Sequence, residues 1–460
     1  MSDQNSYTRK KFLGTAGAAL GGSLLTGPIL KAADRKPQRK PQNGKMRVAV
    51  VGMGVRGVSM YGRNLVSRYP DHIEMVGICD TNPGRLKYAS EYVGAGCPTF
   101  TRLDEMLQKT RPDRLVVTTW DWEHHNCIIT ALEHGVDVVC EKPLTIDEEK
   151  CQMIIDADKK YPDNNIYVTF NYRYPPHRSK VKELLMQGAI GDIRSVDFHW
   201  NINHGHQRAY MQRWHGESKR GGTLWVHKNT HHFDMLNWFL DSDPIEVYAQ
   251  NALEMFGSSG PFRSTNCRRC PYTEECEHYW DINANDHLRQ MYADNEHYDG
   301  YIRDNCVYRH NIDSHDKHAA LITYANGAFV NYSLTSDTDH SGYWIAFNGT
   351  KGRLEGREGG WPASDEHQEW ILTPRGKDPQ KIVVPFSDGG HWGGDPLLLD
   401  RLFKDPDMPD PLHQLAGTRD GVMSVLTGIA ARKSAASGKP VRIESLTSLK
   451  PHAKRPAELI

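Results

Sequence analysis

From residue 46 onward the chain alternates short apolar, β-branched runs with longer amphipathic stretches. Residues 46–51, 73–79, 114–119 and 136–140 read as strands, with a helical pattern beginning near Ser59 and another over 127–134. Strand and helix in turn imply a parallel sheet, because parallel neighbours need a crossover about as long as a helix. Beyond Arg194 the period changes. Residues 193–200, 320–324, 328–333 and 343–347 alternate apolar with polar side chains, as strands buried on one face do, and imply an open, mostly antiparallel sheet. The expected fold class is α/β: a parallel-sheet domain over 46–170, then a C-terminal α+β domain over 171–445 on the antiparallel sheet. An insert over 255–315 and a tail over 446–460 complete it.

Composition narrows the partners. The 56 basic and 57 acidic residues leave a net charge of -1, with no basic block in the body of the chain, so a nucleic-acid partner is not expected. The 11 Trp, 20 Tyr and 23 His suit a sugar-like substrate, since aromatic faces stack on sugar rings and imidazole moves protons near neutral pH. At the start, Thr8-Arg9-Lys10-Lys11-Phe12 precedes a weakly apolar stretch that ends before Lys31-Ala32-Ala33. Residues 1–33 resemble a bacterial export signal of the twin-arginine type, with Lys10 in place of the second arginine. That places the protein in the periplasm; a disordered tail on a cytoplasmic protein is the alternative. The stretch is too rich in Gly, Thr and Pro for a stable transmembrane span, and residues 34–45 read as a linker.

The first strand runs straight into Gly52-Met-Gly54-Val-Arg-Gly57. Gly52 permits a tight turn, Gly54 lets backbone approach a pyrophosphate, and Gly57 allows close helix packing behind an N-terminus that attracts phosphate. The second strand ends at Asp80, about 20 residues on, where a carboxylate accepts hydrogen bonds from adenosine ribose hydroxyls. Together they point to a Rossmann domain that binds NAD in preference to NADP, a preference that Arg85 nearby would soften. The strand over 136–140 ends in Glu141-Lys142-Pro143, at the sheet edge where open α/β folds bind ligands.

These residues, with Thr119-Trp-Asp-Trp-Glu-His124, Asn171-Tyr172-Arg173, Gly221-Gly222 leading to His231-His232-Phe-Asp234, and Gly389-Gly-His391-Trp-Gly-Gly394-Asp395, resemble the glucose-fructose oxidoreductase, inositol dehydrogenase and MocA (Gfo/Idh/MocA) family. The resemblance implies an NAD(P)-dependent oxidoreductase that transfers hydride from a secondary hydroxyl of a sugar, glycoside or polyol. Thr119, His124, Glu141, Lys142 and Arg173 would contact cofactor, with Lys142 also orienting the reacting hydroxyl. His231 would take its proton. Tyr172, Trp225 and His232 are candidate substrate contacts, with ordinary packing the rival reading for each. The resemblance also implies a homo-oligomer, one face of the second sheet closing the substrate cleft and the other meeting a subunit.

One position departs from the family pattern. Where a carboxylate commonly stands four residues before the helix histidine, this chain has His227. His227 is then a second acid–base or substrate-binding group, or it pairs with His231 at i and i+4 on a divalent metal. Two other activities compete with simple dehydrogenation: an NAD-dependent glycosidase working by transient oxidation and elimination, and non-catalytic sugar binding.

The insert carries Cys267-Arg-Arg-Cys270, Cys276 and Cys306. C-x₂-C spacing with two further cysteines suggests a structural Cys₄ zinc site; two disulfides are the rival in an exported protein, with free thiols or iron–sulfur behind. The five cysteines before residue 152 read as small core residues.

Overall fold

The structure, a computed structural model, describes residues 44–360 and 366–456. The expected export signal and most of the linker lie outside the described residues. Among those described, no helix is long and apolar enough to cross a membrane.

Six strands form the first sheet: β1 (Met46–Val51), β2 (Ile73–Cys79), β3 (Thr99–Phe100), β4 (Arg114–Val117), β5 (Asp137–Cys140) and β6 (Ile166–Val168). They are parallel throughout and ordered β3-β2-β1-β4-β5-β6, the arrangement that opens a crevice where the strand order reverses, between β1 and β4. Helices cover both faces, so β1, β4 and β5 are almost wholly buried and read as continuous apolar runs rather than alternating ones. The first helix starts at Val55, a turn earlier than its apolar pattern suggests, and is π-helical over Gly57–Arg63 before an α-helical turn at Asn64–Arg68.

The second sheet has nine strands: β7 (Ile193–Asn203), β8 (Pro244–Ala252), β9 (Lys317–Tyr324), β10 (Phe329–Thr338), β11 (Gly342–Gly349), β12 (Gly352–Glu358), β13 (His367–Pro374), β14 (Gln380–Pro385) and β15 (Val441–Arg442). Their order is β14-β13-β12-β11-β7-β10-β9-β8-β15, antiparallel except for the central β7–β10 pair. Burial alternates along β7, β9 and β10, as one-sided strands require. The helices Asn229–Leu240 and Thr418–Ser437 pack together on this sheet, and every residue of the first is buried. The opposite face exposes Tyr248, Leu321 and Phe329, with Tyr248 directly across from Leu321. The segment between β8 and β9, which contains the insert, folds into short helical turns around buried Phe256, Ile282, Met291 and Tyr308.

Candidate functional site

The crevice at the carboxyl ends of β1 and β4 opens into a cleft of about 760 Å³. The glycine loop forms one wall. Gly52 has φ +90°, and a Cβ there would lie 2.6 Å from the Thr118 and Thr119 backbone; on Gly57 it would lie 2.1 Å from the Gly52 carbonyl oxygen. Both positions exclude any larger residue, which is the physical content of the motif. Asp80 accepts from the amides of Met53 (2.7 Å) and Asn82 (2.8 Å) and from Arg85 (3.1 Å). Thr119, His124, Glu141 and Lys142 line the same cleft. These groups fit a dinucleotide: backbone for the pyrophosphate, a carboxylate for the ribose, and a cation at the far end.

The insert reaches over the Asp80 side of this cleft. Val55 donates its amide to Tyr292 Oη (3.0 Å), Asn82 Nδ2 donates to the Asn295 carbonyl (2.9 Å), Arg85 pairs with Asp299 (2.7 Å), and Tyr88 Oη meets His287 Nδ1 (2.6 Å). Arg85 is thus held between two carboxylates, Asp80 and Asp299.

At the other end, Lys142 donates Nζ to the His227 carbonyl (3.2 Å). Burial pushes its ammonium down to about 8, against the pull of Asp121 and Glu141. Burial alone would raise Glu141, but Arg56, 2.6 Å away, outweighs it and holds the carboxyl below its usual range. His227 Nδ1 and Asp121 Oδ2 share a hydrogen bond of 2.5 Å, and burial pushes the Asp121 carboxyl well above its usual range against the pull of Lys142. The carboxylate missing from residue 227 therefore enters from the turn Asp121–Glu123 after β4. Burial and then Lys142 drive His227 far towards its neutral form, so Nε2 carries the lone pair of a residue that lines the cleft.

His231, one turn along, also lines the cleft and is kept neutral by burial. Its ring stacks on Tyr172, centroids 4.0 Å apart, and its Nδ1 is buried without a hydrogen-bond partner. Tyr172 in turn accepts from Lys228 (2.9 Å), an amine that burial pushes down to about 7. From the late glycine-rich segment His391 joins the lining, and Asp395 ties it (2.9 Å) to Asn171 (2.6 Å). Trp120 and Trp122 stack on each other (4.4 Å), with Trp214 edge-on to Trp122 (5.8 Å). Arg213, His215, Tyr301 and Arg303 complete the wall.

Several expected contacts lie elsewhere. Arg173 is buried away from the cleft in an ion-pair network with Asp234 and Asp420, Nε reaching Asp234 at 2.8 Å and Nη2 reaching Asp420 at 2.9 Å. Trp225 is fully buried against His318 (4.1 Å, stacked). His232 bonds Tyr332 (2.7 Å) under the second sheet. These three serve the core, because the helix that holds or meets them is covered on every side. The cysteines also differ from expectation. Cys267, Cys270, Cys276 and Cys306 are free thiols, and among the described residues they do not form a group at metal-ligand separation. Their sulfurs turn to local donors instead: Ser264 and Tyr308 amides to Cys306 (3.5 and 3.4 Å), and Gln212 to Cys267 (3.3 Å). No disulfide joins them, although Cys276 lies near Cys270 and Cys306 and Cys267 lies near Cys276. His227 is committed to Asp121, and among the described residues the pair His227–His231 belongs to no three-ligand group.

Asp121, Arg213, His215 and the insert residues escaped the sequence reading. Asp121 sat inside the recognised run at 119–124, but its partner is far off in sequence.

Comparison with known proteins bears on family and fold. Residues 46–169 match the Gfo/Idh/MocA model described as the oxidoreductase family's NAD-binding Rossmann fold, and residues 182–443 match the model of that family's C-terminal alpha/beta domain. YteT of Bacillus subtilis is 32% identical over 421 residues, covering 87% of this chain and 98% of YteT. An inositol 2-dehydrogenase/D-chiro-inositol 3-dehydrogenase of Lactiplantibacillus plantarum is 25% identical over 44% of this chain and 54% of that enzyme. Among solved structures, the WlbA dehydrogenase from Bordetella pertussis in complex with NADH and UDP-GlcNAcA superimposes with a TM-score of 0.61 at 21% identity, over 86% of this chain and 98% of that one. This last likeness establishes the fold.

Proposed function

Because the chain belongs to the Gfo/Idh/MocA oxidoreductase family, with that family's NAD-binding half and C-terminal half both present, we propose that it oxidises a secondary hydroxyl of a sugar, glycoside or polyol. The reading rests on one observation: Lys142, the Asp121–His227 pair and His231 converge in the cleft that the glycine loop opens. A bound nicotinamide supplies the hydride acceptor. The chain supplies the rest. Lys142, charged at neutral pH, orients the hydroxyl and favours its alkoxide. His227 takes the hydroxyl proton at Nε2, and Asp121, ionised beside the Lys142 ammonium, accepts Nδ1–H and so holds the imidazole in the tautomer that leaves Nε2 free. The base is thereby assigned to His227 rather than His231, since the orienting carboxylate goes to His227. His231, stacked on Tyr172, shapes the neighbouring wall.

The engagement of Arg85 by Asp80 and Asp299 favours NAD over NADP, because that guanidinium is already paired with two carboxylates. The insert's cover over the adenosine side favours a cofactor that stays bound through turnover. Turnover on a retained cofactor is redox-neutral, which keeps the elimination-type glycosidase as a second reading. The basic run before Phe12 supports export of the folded, loaded chain, and exposed apolar residues on the second sheet support a homo-oligomer.

Native mass spectrometry of the purified protein should find one NAD per chain. Incubation with a panel of glycosides and inositols should wash a ring hydrogen into solvent, and Lys142→Ala should abolish this. Release of aglycone without accumulated NADH selects the glycosidase reading. A Lys142→Ala protein as active as the parent overturns both.

A further inference from the structure

Away from the cleft, His204, His278 and Asp337 bring one donor atom each to within 4.8 Å of one another, the three-ligand group found among the described residues. They come from three separate places: the first turn of the helix His204–Gln212, the insert, and the end of β10. His204 donates Nε2–H to the Glu277 carbonyl (3.0 Å), which leaves Nδ1 as its lone-pair nitrogen. That nitrogen lies 2.9 Å from Asp337 Oδ1, which has no hydrogen-bond partner, so the pair needs a positive species between them, a proton on the imidazole or a metal ion. The Asp337 side chain is 6% exposed. His278 is 1% exposed, and neither of its ring nitrogens has a hydrogen-bond partner; the Glu277 carboxylate stands off at 3.7 Å. Leaving both nitrogens of a buried imidazole unsatisfied is costly unless something binds there. Asp337 also sits at φ +60°, at the bulge where β10 slips register against β7, a left-handed conformation that few non-glycine residues adopt.

We propose that His204, His278 and Asp337 form a structural site for a divalent metal of the zinc type that fastens the insert to the second sheet. Two imidazoles and one carboxylate with a fourth position for water is a zinc donor set, and the His204–carbonyl bond is the outer-sphere contact such ligands usually make. The two rings are stacked, centroids 4.4 Å apart at 11°, so coordination turns one imidazole about its soft χ2 torsion. Arg208, on the same helix, opposes a cation here, and Glu277 beside it offsets that charge. Metal binding at this place would hold one root of the insert whose other end covers the cofactor cleft.

The test uses the full-length protein, stripped with chelator and titrated with Co²⁺ alone. One Co²⁺ per chain is expected, with visible ligand-field absorption and no thiolate-to-cobalt charge-transfer band. His278→Gln and Asp337→Asn should each lose stoichiometric binding, and Cys267→Ser/Cys270→Ser should keep it. His204 is partly exposed, so His204→Asn supplies a variant that folds and should also lose binding. The proposal is overturned if the parent holds no Co²⁺, if a charge-transfer band puts the metal on cysteine, or if all three ligand variants bind as the parent does.

Discussion

In the proposed mechanism the hydrogen bond between His227 and Asp121 decides how the cleft handles a proton. With Asp121→Asn the amide can donate to Nδ1 and trap the wrong tautomer, so kcat should fall by roughly 100-fold while cofactor retention is unchanged, as single-turnover and mass measurements would show. Lys142 sets the pH response. Its ammonium is lost as pH rises through about 8, so kcat/KM should decline above that pH. In Lys142→Arg the alkaline limb should disappear even though the rate is lower, because a guanidinium keeps its charge. Stability should move the opposite way. A buried lysine whose folded pKa lies below its unfolded value loses its proton first in the folded chain, so the unfolded chain binds more protons and stability rises with pH. Lys142 and Lys182 (about 8) and Lys228 (about 7) share this sign, which places the rise between about pH 7 and about pH 10.5, readable by denaturant melts. Glycine spacing and the Glu141-Lys142 strand end were legible at this scale because each role follows from local backbone. Asp121 was not, since its role depends on a partner that only tertiary structure brings near.

Between elements, the informative case is Arg173. It leaves the turn Asn171–Arg173 beside Tyr172, yet the two side chains diverge, one towards His231 and one into the ion pairs with Asp234 and Asp420. Those pairs join the helix Asn229–Leu240 to the helix Thr418–Ser437. Arg173→Ala strands the buried Asp234 carboxylate, while Asp420 keeps Arg455, and should cost ~3–5 kcal/mol of stability, seen as a lower denaturation midpoint, with the nicotinamide site intact in the fraction that remains folded. Strand periodicity was a good guide here: alternation marked the one-sided strands of the second sheet and continuous apolar runs the two-sided strands of the first. Periodicity said nothing about Trp225 and His232, because a helix or turn buried all round has no polar face to reveal which side meets a ligand. The insert was likewise opaque, being built of short turns whose contacts with the Rossmann half follow no repeat.

Across the whole molecule, the bare face of the second sheet should carry subunit contacts through Tyr248, Leu321 and Phe329. Leu321→Lys together with Phe329→Glu should lower the mass seen by light scattering while leaving the monomer folded, since these side chains touch no core. The order of the two sheets was readable from the sequence; how the segment between β8 and β9 returns to the first sheet was not. That return governs assembly. Tyr292, Asn295 and Asp299 are far in sequence from the residues they meet, so they should dock late and the nucleotide crevice should stand open until they do. Loading then becomes a matter of timing: chains refolded with NAD present should emerge charged, whereas adding NAD to chains already refolded without it should fill them only as fast as the segment transiently undocks.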